Sequence, residues 1–209
     1  MKTRLGERIG WILGCLFTLG ATGGEAVADN AKETVTRQVK AIEAKLNRSG
    51  MNWPAETTRV LQSALNRGEE GPIHAAVADQ VFLSVTISPE GRVKVARGLA
   101  TAKLVATRPS LFLIRIDNQS GGQQHLKVQG TYVGDSDNPF TLSVKPVDQL
   151  GPDLVGLPVE YRLIEVIGRK AGRRELTITV EAGQGTQDLG FRSEAPILFM
   201  VEADRSSTK

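Results

Sequence analysis

The stretch most suggestive of chemistry is a glycine-rich run, GQGTQDLGFRSE, at residues 183–194. A phosphate-binding loop works where a strand leads into a helix, because the free amide groups and the dipole of the helix N-terminus meet the anion. Here the run lies between two strand-like segments, 176–180 and 197–201, and no Lys-Ser or Lys-Thr pair closes it. We therefore interpret it as an ordered connection between strands, and we expect Leu189 or Phe191 to anchor it in the core.

A second candidate is an oxygen-rich loop that follows Gly134. Asp135, Asp137 and Asn138 offer the hard ligands that calcium prefers, but the glycine and the distant glutamate of a helical calcium loop are missing. An ordinary turn is therefore the favoured interpretation. If a metal ion binds here instead, Asp135 and Asp137 are its candidate ligands. A small metal-dependent hydrolase that uses these two aspartates with His125 remains an alternative.

Other residue types that could perform catalysis are sparse. His74 and His125 have no second histidine at ligand spacing, so each is interpreted as a surface side chain. Glu160 and Glu165 offer a pair of carboxylates for glycoside cleavage, although any strand-rich domain contains such pairs. The H-E-x-x-H and G-x-S-x-G signatures are both missing from the sequence. We therefore predict no catalytic residue, no cofactor and no enzyme.

Two basic runs suggest an anionic partner instead. If both runs formed a single binding surface, that surface would suit an anionic polysaccharide. Binding of such a polymer is a further alternative function. The simpler interpretation is that they are solvated turns whose charges discourage pairing of sheet edges. Their residues are, in chain order, Arg92, Lys94, Arg97, Arg169, Lys170, Arg173 and Arg174.

The chain begins with a segment that has the organisation of a secretory signal peptide, residues 1–28. Three basic side chains precede an apolar run over residues 9–20, and small residues follow up to Ala28. This order predicts cleavage after Ala28 and a periplasmic or secreted protein. The single cysteine, Cys15, lies inside this segment, so the mature chain would contain no disulfide and no thiol nucleophile. A lipoprotein signal at Cys15 is disfavoured because it would leave too short an apolar core.

Composition excludes two further classes of partner. The formal net charge is only +3, which does not indicate a nucleic-acid-binding protein. No stretch after the leader approaches the roughly 20 apolar residues that a membrane-spanning helix needs. We therefore predict no nucleic-acid partner and no membrane span after removal of the signal.

A helical pattern occupies residues 29–76. Apolar residues recur at spacings of three and four, and so form one face of a first helix: Val35, Val39, Ile42 and Leu46. A second helix is predicted to start near Asn52, with Pro54 in its first turn and Gly68 as its C-cap. The glycine- and proline-containing stretch at residues 68–72 is predicted to be a linker.

Residues 77–204 change to a period of two, which is typical of strands. About eight short strands are separated by clusters of glycine, proline, asparagine and aspartate. The run at residues 111–116 is almost entirely apolar, and we expect a central strand that is covered on both faces. The pattern predicts a mainly β protein, an antiparallel immunoglobulin-like sandwich preceded by a short two-helix segment, with residues 205–209 as a tail.

Three segments in this region support a resemblance to a known family. They are VTISPEGRVKVARG (85–98), LFLIRIDNQSG and GQGTQDLGFRSEAPILF. The chain resembles, over residues 78–203, the β-rich accessory region that precedes the catalytic domain in exported, carbaryl-hydrolase-like bacterial metallohydrolases of the PHP fold. The metal-binding residues of that family belong to a domain that this chain does not contain. The resemblance therefore implies an accessory module.

These observations lead to one functional expectation. We expect a non-catalytic exported β-sandwich that binds or positions a protein partner or a component of the cell envelope. The metal-dependent hydrolase and the binder of anionic polysaccharide stay as the alternatives.

Overall fold

The computed structural model describes residues 23–134, 137–147, 150–183 and 191–204, with the backbone alone over residues 23–33. The described chain begins with three helices, α1 (Gly23–Arg48), α2 (Ala55–Arg67) and α3 (Glu70–Val77). Both predicted helices are present. The first starts earlier than expected and contains the predicted cleavage point after Ala28. The second begins just after Pro54 and ends at Gly68, which adopts the left-handed conformation (φ 63°) of a C-cap.

Helix α3 lies where the sequence predicted a linker. The prediction was wrong because Gly71 and Pro72 were taken as breakers of regular structure. Pro72 occupies the first turn of α3, where backbone N–H groups have no intrahelical acceptor, so its missing N–H costs nothing there. A 3₁₀ turn, Ala78–Gln80, then connects α3 directly to the first strand.

Ten strands follow within the described residues. Two of them, β3 and β7, are too short to produce a period-two pattern and were not predicted. The strands are β1 Val81–Ile87, β2 Val93–Arg97, β3 Lys103–Val105, β4 Pro109–Asn118, β5 Gln124–Thr131, β6 Phe140–Lys145, β7 Asp153–Leu154, β8 Val159–Gly168, β9 Gly172–Ala182 and β10 Arg192–Glu202.

The strands form two five-stranded sheets that pack face to face. Sheet A has the order β2-β1-β4-β8-β6, and sheet B has the order β3-β10-β9-β5-β7. The predicted mainly β, two-sheet organisation is therefore confirmed. The expectation of a wholly antiparallel sandwich is wrong at two pairings, because β1 runs parallel to β4 and β3 runs parallel to β10. The immunoglobulin-like assignment stays a prediction.

Sheet A is buried on both of its faces. One face packs against sheet B, and the core between them includes Phe82, Ile114, Ile164 and Phe199. The opposite face lies under the three helices. As predicted, the run at residues 111–116 forms a strand covered on both sides, because Ile114 points towards sheet B and Leu113 towards the helices.

The helices form a third layer with a core of its own. The apolar face predicted for α1 packs with α2 and α3 against Leu113, Tyr161 and Leu163 of sheet A. Polar contacts add to this packing. The backbone N–H of Tyr161 donates to Gln38 Oε1 (3.0 Å), and Gln62 donates to Glu43 Oε2 (2.7 Å).

One ion pair is buried between the two sheets. Glu160 and Arg162 lie on β8 with side chains exposed by at most 1%, and their charged groups are 2.8 Å apart. Glu160 also accepts hydrogen bonds from the backbone N–H groups of Val155, Gly156 and Leu157. A buried carboxylate that lost these partners would be strongly destabilising. The contacts therefore hold the loop at residues 151–157 against β8.

Strand β4 is paired along its full length on one side only. It pairs with β8 from Pro109 onwards, but with β1 only from Leu113 onwards. Beyond Val81, where that pairing starts, the chain enters the 3₁₀ turn and the helical layer. Within the described residues, the first four residues of β4 therefore have a strand neighbour on the β8 side and none on the β1 side.

The integration of the helical layer can be tested with two neighbouring residues of α2. Leu61 is fully buried, whereas the side chain of Val60 is 40% exposed. We expect Leu61→Ala to lower the free energy of unfolding by about 2–5 kcal/mol, and Val60→Ala to change it by less than about 0.5 kcal/mol. Urea denaturation followed by circular dichroism measures both. Equal, small effects would mean that the helices contribute no core to the fold.

Candidate binding groove

The glycine-rich stretch does not lead into a helix in the described residues. Gly183 follows β9, and β10 begins at Arg192 as a strand. Leu189 lies outside the described residues. Phe191 is half-buried and packs against Gly91, where φ is +81° and a Cβ atom would lie 2.7 Å from the Phe191 ring. Phe191 thus packs on the β1–β2 turn and not in the core, and the expectation that Leu189 or Phe191 anchors the stretch in the core stays a prediction.

The candidate metal ligands are not brought together. Asp135 lies outside the described residues, and Asp137 is exposed. His125 lies near the start of β5. The other end of that strand, which leads towards Asp137, is about 20 Å away. His125 bonds instead to Asp153 (2.7 Å). Across the part of the chain that the structure describes, no group of three metal-binding side chains forms.

The two carboxylates considered for glycoside cleavage lie on opposite faces of sheet A. Glu160 is buried towards sheet B and is held by Arg162 and by the backbone of the loop at residues 151–157. Glu165 lies on the helix side and pairs with Lys145 (2.8 Å). They cannot flank one glycosidic bond, because the sheet separates them.

The two basic runs lie at opposite ends of the sandwich. Arg169 and Lys170 lie in the turn from β8 to β9, and Arg173 and Arg174 follow at the start of β9, at the end of the sandwich where β4 begins. We call this the basic end. Arg92 and Lys94 lie at the other end of β4, about 30 Å away. A single binding surface formed by both runs is therefore not present.

Arg97 has a structural role. Its guanidinium lies 4.4 Å from the centre of the Phe82 ring and donates to the Phe82 carbonyl (2.7 Å). It also donates to the carbonyl oxygens of Gly98 and Ala100. These bonds stabilise the segment that follows β2. The guanidinium of Arg97 therefore binds groups of the fold itself.

His74 is not the surface residue that the sequence suggested. It is half-buried on α3, and its Nδ1 lies 2.7 Å from the hydroxyl of Tyr161. Tyr161 is fully buried on β8, so this bond joins the helical layer to sheet A. Burial lowers the pKa of His74, the charge of Arg115 lowers it further, and Asp117 opposes both effects.

The unpaired part of β4 opens into a groove that the sequence analysis did not identify. The backbone N–H of Leu111 points into it and donates to Met51 Sδ at 3.2 Å. A thioether sulfur is a weak acceptor, so this N–H group is poorly satisfied compared with one in a strand pairing. Met51 and Leu111 line two adjoining clefts of about 480 and 420 Å³. We call the two clefts together the β4 groove.

The larger cleft is mainly apolar. Trp53 and Leu99 line it together with Met51 and residues 110–113 of β4. Leu99 is 74% exposed, which is unusual for a leucine that borders an apolar cleft. This half of the groove presents an apolar surface to solvent that no described segment covers.

The smaller cleft is mainly cationic. Lys45 at the end of α1, Arg108 before β4 and Lys145 at the end of β6 line it, together with Glu165. Arg108 forms a bidentate ion pair with Asp204, and Lys145 forms an ion pair with Glu165. The basic turn is adjacent, because Thr107 N–H donates to the Gly168 carbonyl (2.7 Å). The groove therefore combines an apolar half with a positively charged half.

Comparison with known proteins leaves the family open. Neither a protein-family model nor a curated protein matches the chain. Solved structures share a partial likeness. A fragment of the S-layer protein SbsC, domains 4 and 5, is 16% identical with a TM-score of 0.30, over 54% of this chain and 52% of the fragment. The secreted serine protease VesC from Vibrio cholerae is 13% identical with a TM-score of 0.34, over 59% of this chain and 24% of the protease.

A third structure, SSP-19 from Caenorhabditis elegans, an MSP-domain-like protein, is 11% identical with a TM-score of 0.31. It is covered over 94% of its length, against 48% of this chain. The chain thus spans about half the length of the S-layer fragment and a quarter of the protease. At this level of similarity no function follows, and the resemblance to a metallohydrolase accessory region stays a prediction. Within the described residues, the helices are too short or too polar to span a membrane.

The lowered pKa of His74 predicts a pH-dependent stability. The unfolded chain holds more protons on this histidine than the folded chain between the folded pKa and the ordinary value of 6.5. We therefore expect the contribution of His74 to be complete above pH 6.5 and to be lost as the pH falls below it. His74→Gln keeps a hydrogen-bonding group but cannot titrate.

Urea denaturation at a series of pH values from about 7.5 to 5 measures this effect. The loss of stability should be smaller in His74→Gln than in the natural protein. Identical curves for His74→Gln and the natural protein would show that His74 is not the group responsible.

Proposed function

We propose that this protein is an exported, non-catalytic module that binds a partner protein through the β4 groove. We also propose an immunoglobulin-like sandwich and a periplasmic or secreted location, for which the leader-like residues 1–28 are the support. The helical layer covers sheet A and forms one wall of the groove. The function is the one expected from the sequence, and the β4 groove is the surface that would perform it.

The observation that supports binding is the incomplete pairing of β4. Residues 109–112 lie in a strand whose β1 side has no strand partner among the described residues, and the Leu111 N–H is bonded only weakly to Met51. Such an edge accepts an added strand from another protein. The exposed Leu99 and the half-buried Trp53 beside it provide the apolar contact that a protein interface needs.

The composition of the groove favours binding over hydrolysis in this proposal. Among the described residues that line it, there is no histidine or cysteine, and its two carboxylates, Asp79 and Glu165, belong to different clefts. Lys145 holds Glu165 in an ion pair. No arrangement of nucleophile, base and orienting group is present in this lining, which supports a binding function over a hydrolytic one.

Site-specific photo-cross-linking in the native host tests the proposal. A benzophenone amino acid replaces Leu99 in the groove or, as a matched control, the exposed Val155 at the opposite end of β8. We expect one discrete protein adduct from position 99 and none from position 155, because only the first position borders the open edge of β4.

No adduct at position 99, or the same adducts from both positions, would contradict a partner at the groove. A tightly held, stoichiometric metal ion in the purified protein would instead support the hydrolase alternative.

A further inference from the structure

We infer that the segment bound in the β4 groove is an extended, acidic stretch of the partner protein, which adds to β4 as a short strand. This inference rests on the proposed function and deepens it, because it names the chemistry and the mode of binding. Three observations point to it: the direction of the weakly bonded Leu111 N–H, the charge of the smaller cleft and the apolar character of the larger one.

The backbone geometry favours an extended segment. In a strand, the N–H and C=O of one residue point towards the same side, so the Leu111 N–H that reaches Met51 marks the side of β4 that faces the groove. The opposite side is occupied by β8. An incoming strand would offer the Leu111 N–H a carbonyl oxygen in place of the thioether sulfur. The carbonyl oxygen is the stronger acceptor of the two. Pro109 supplies no N–H, which limits the added pairing to a short stretch.

The charge of the groove favours an acidic occupant. Four cationic side chains line the two clefts, Lys45, Lys103, Arg108 and Lys145, against the carboxylates of Asp79 and Glu165. Beyond the lining, Asp204 pairs with Arg108, and the turn at residues 169–174 adds further cations at the same end. Carboxylates on the partner would meet this surplus of positive charge, whereas a basic segment would be repelled.

The apolar cleft favours a peptide over an anionic polysaccharide. Trp53, Leu99 and Met51 together offer a surface that an apolar side chain can cover. A sulfated or uronic-acid polymer has no side chain to bury there and no backbone amide to pair with β4. A peptide uses all three features at once, so we take the polysaccharide as an outcome of the test.

The experiment uses the full chain and short fluorescein-labelled peptides in an anisotropy titration. The first peptide alternates glutamate and valine. The second alternates lysine and valine. The third is the acidic peptide with its backbone nitrogens methylated on alternate residues, so that it cannot pair with an edge strand. A labelled heparin fragment represents an anionic polysaccharide.

We expect the acidic peptide to bind, the basic one not to bind, and methylation to weaken binding by about tenfold or more. Combining Lys45→Glu with Lys145→Gln should weaken the acidic peptide by about tenfold. The matched control, Arg92→Glu with Lys94→Gln at the opposite end, makes the same change in net charge and should leave binding unchanged. Thermal melts confirm that each variant is folded.

Four results would overturn the inference. They are no binding of the acidic peptide, whether or not heparin binds, binding of the basic peptide at least as tight, an equal effect of the control pair, or equal binding of the methylated and unmethylated acidic peptides. If the adduct at position 99 forms while any of these results is obtained, a partner still binds the groove but is not an acidic strand. If no adduct forms, the proposed function itself fails.

Discussion

The need to satisfy the backbone of β4 governs much of this structure. The strand is buried on both faces, and buried N–H and C=O groups must find partners. Strand β8 provides them along one side, but β1 reaches only as far as Val81 opposite Leu113. It stops there because the chain must pass through the 3₁₀ turn at residues 78–80 into the helices that cover sheet A. The layer that buries the sheet thus also leaves the first residues of β4 without a strand neighbour on the β1 side among the described residues.

The two ends of the sandwich handle buried polar groups differently. At the end where β8 begins, Glu160 and Arg162 satisfy each other and the backbone of the loop at residues 151–157. The buried ion pair is thus held by groups of the same chain, while Gln124 Oε1 at this end is buried without a hydrogen-bond partner among the described residues. At the basic end, the Leu111 N–H has only the Met51 sulfur, and cationic side chains surround the opening. The basic end therefore presents a strand edge to a partner, whereas the end where β8 begins presents a cleft lined by the side chains of Gln124, His125 and Asp153.

Much of the fold could be predicted from local patterns. Alternation located eight of the ten described strands, and the continuous apolar run at residues 111–116 correctly indicated a strand covered on both faces. Strands β3 and β7 are two or three residues long and exist because a neighbour holds them, so no periodicity marks them. The parallel pairing of β1 with β4 joins segments far apart in sequence, and local propensity contains no information about it.

The candidate site could not be predicted because its parts are scattered. The groove is built from the end of α1, the α1–α2 connection, the 3₁₀ turn, the β2–β3 connection, the start of β4, the end of β6 and Glu165 of β8. None of these segments has a motif. The basic turn at residues 169–174 was visible in the sequence, but its position beside the groove depends on the pairing of β8 with β4. His74 was misjudged for the same reason, since Tyr161 is distant along the chain.

Amide hydrogen exchange at Leu111, followed by NMR, tests the open edge most directly. We expect the Leu111 N–H to exchange much faster than that of Ile114, which lies on the same strand where β4 has neighbours on both sides. When the cross-linked partner or its isolated segment is added, exchange at Leu111 should slow to a rate near that of Ile114. Equal protection of the two amides in the free protein, or no change at Leu111 on binding, would contradict an open strand edge that receives the partner.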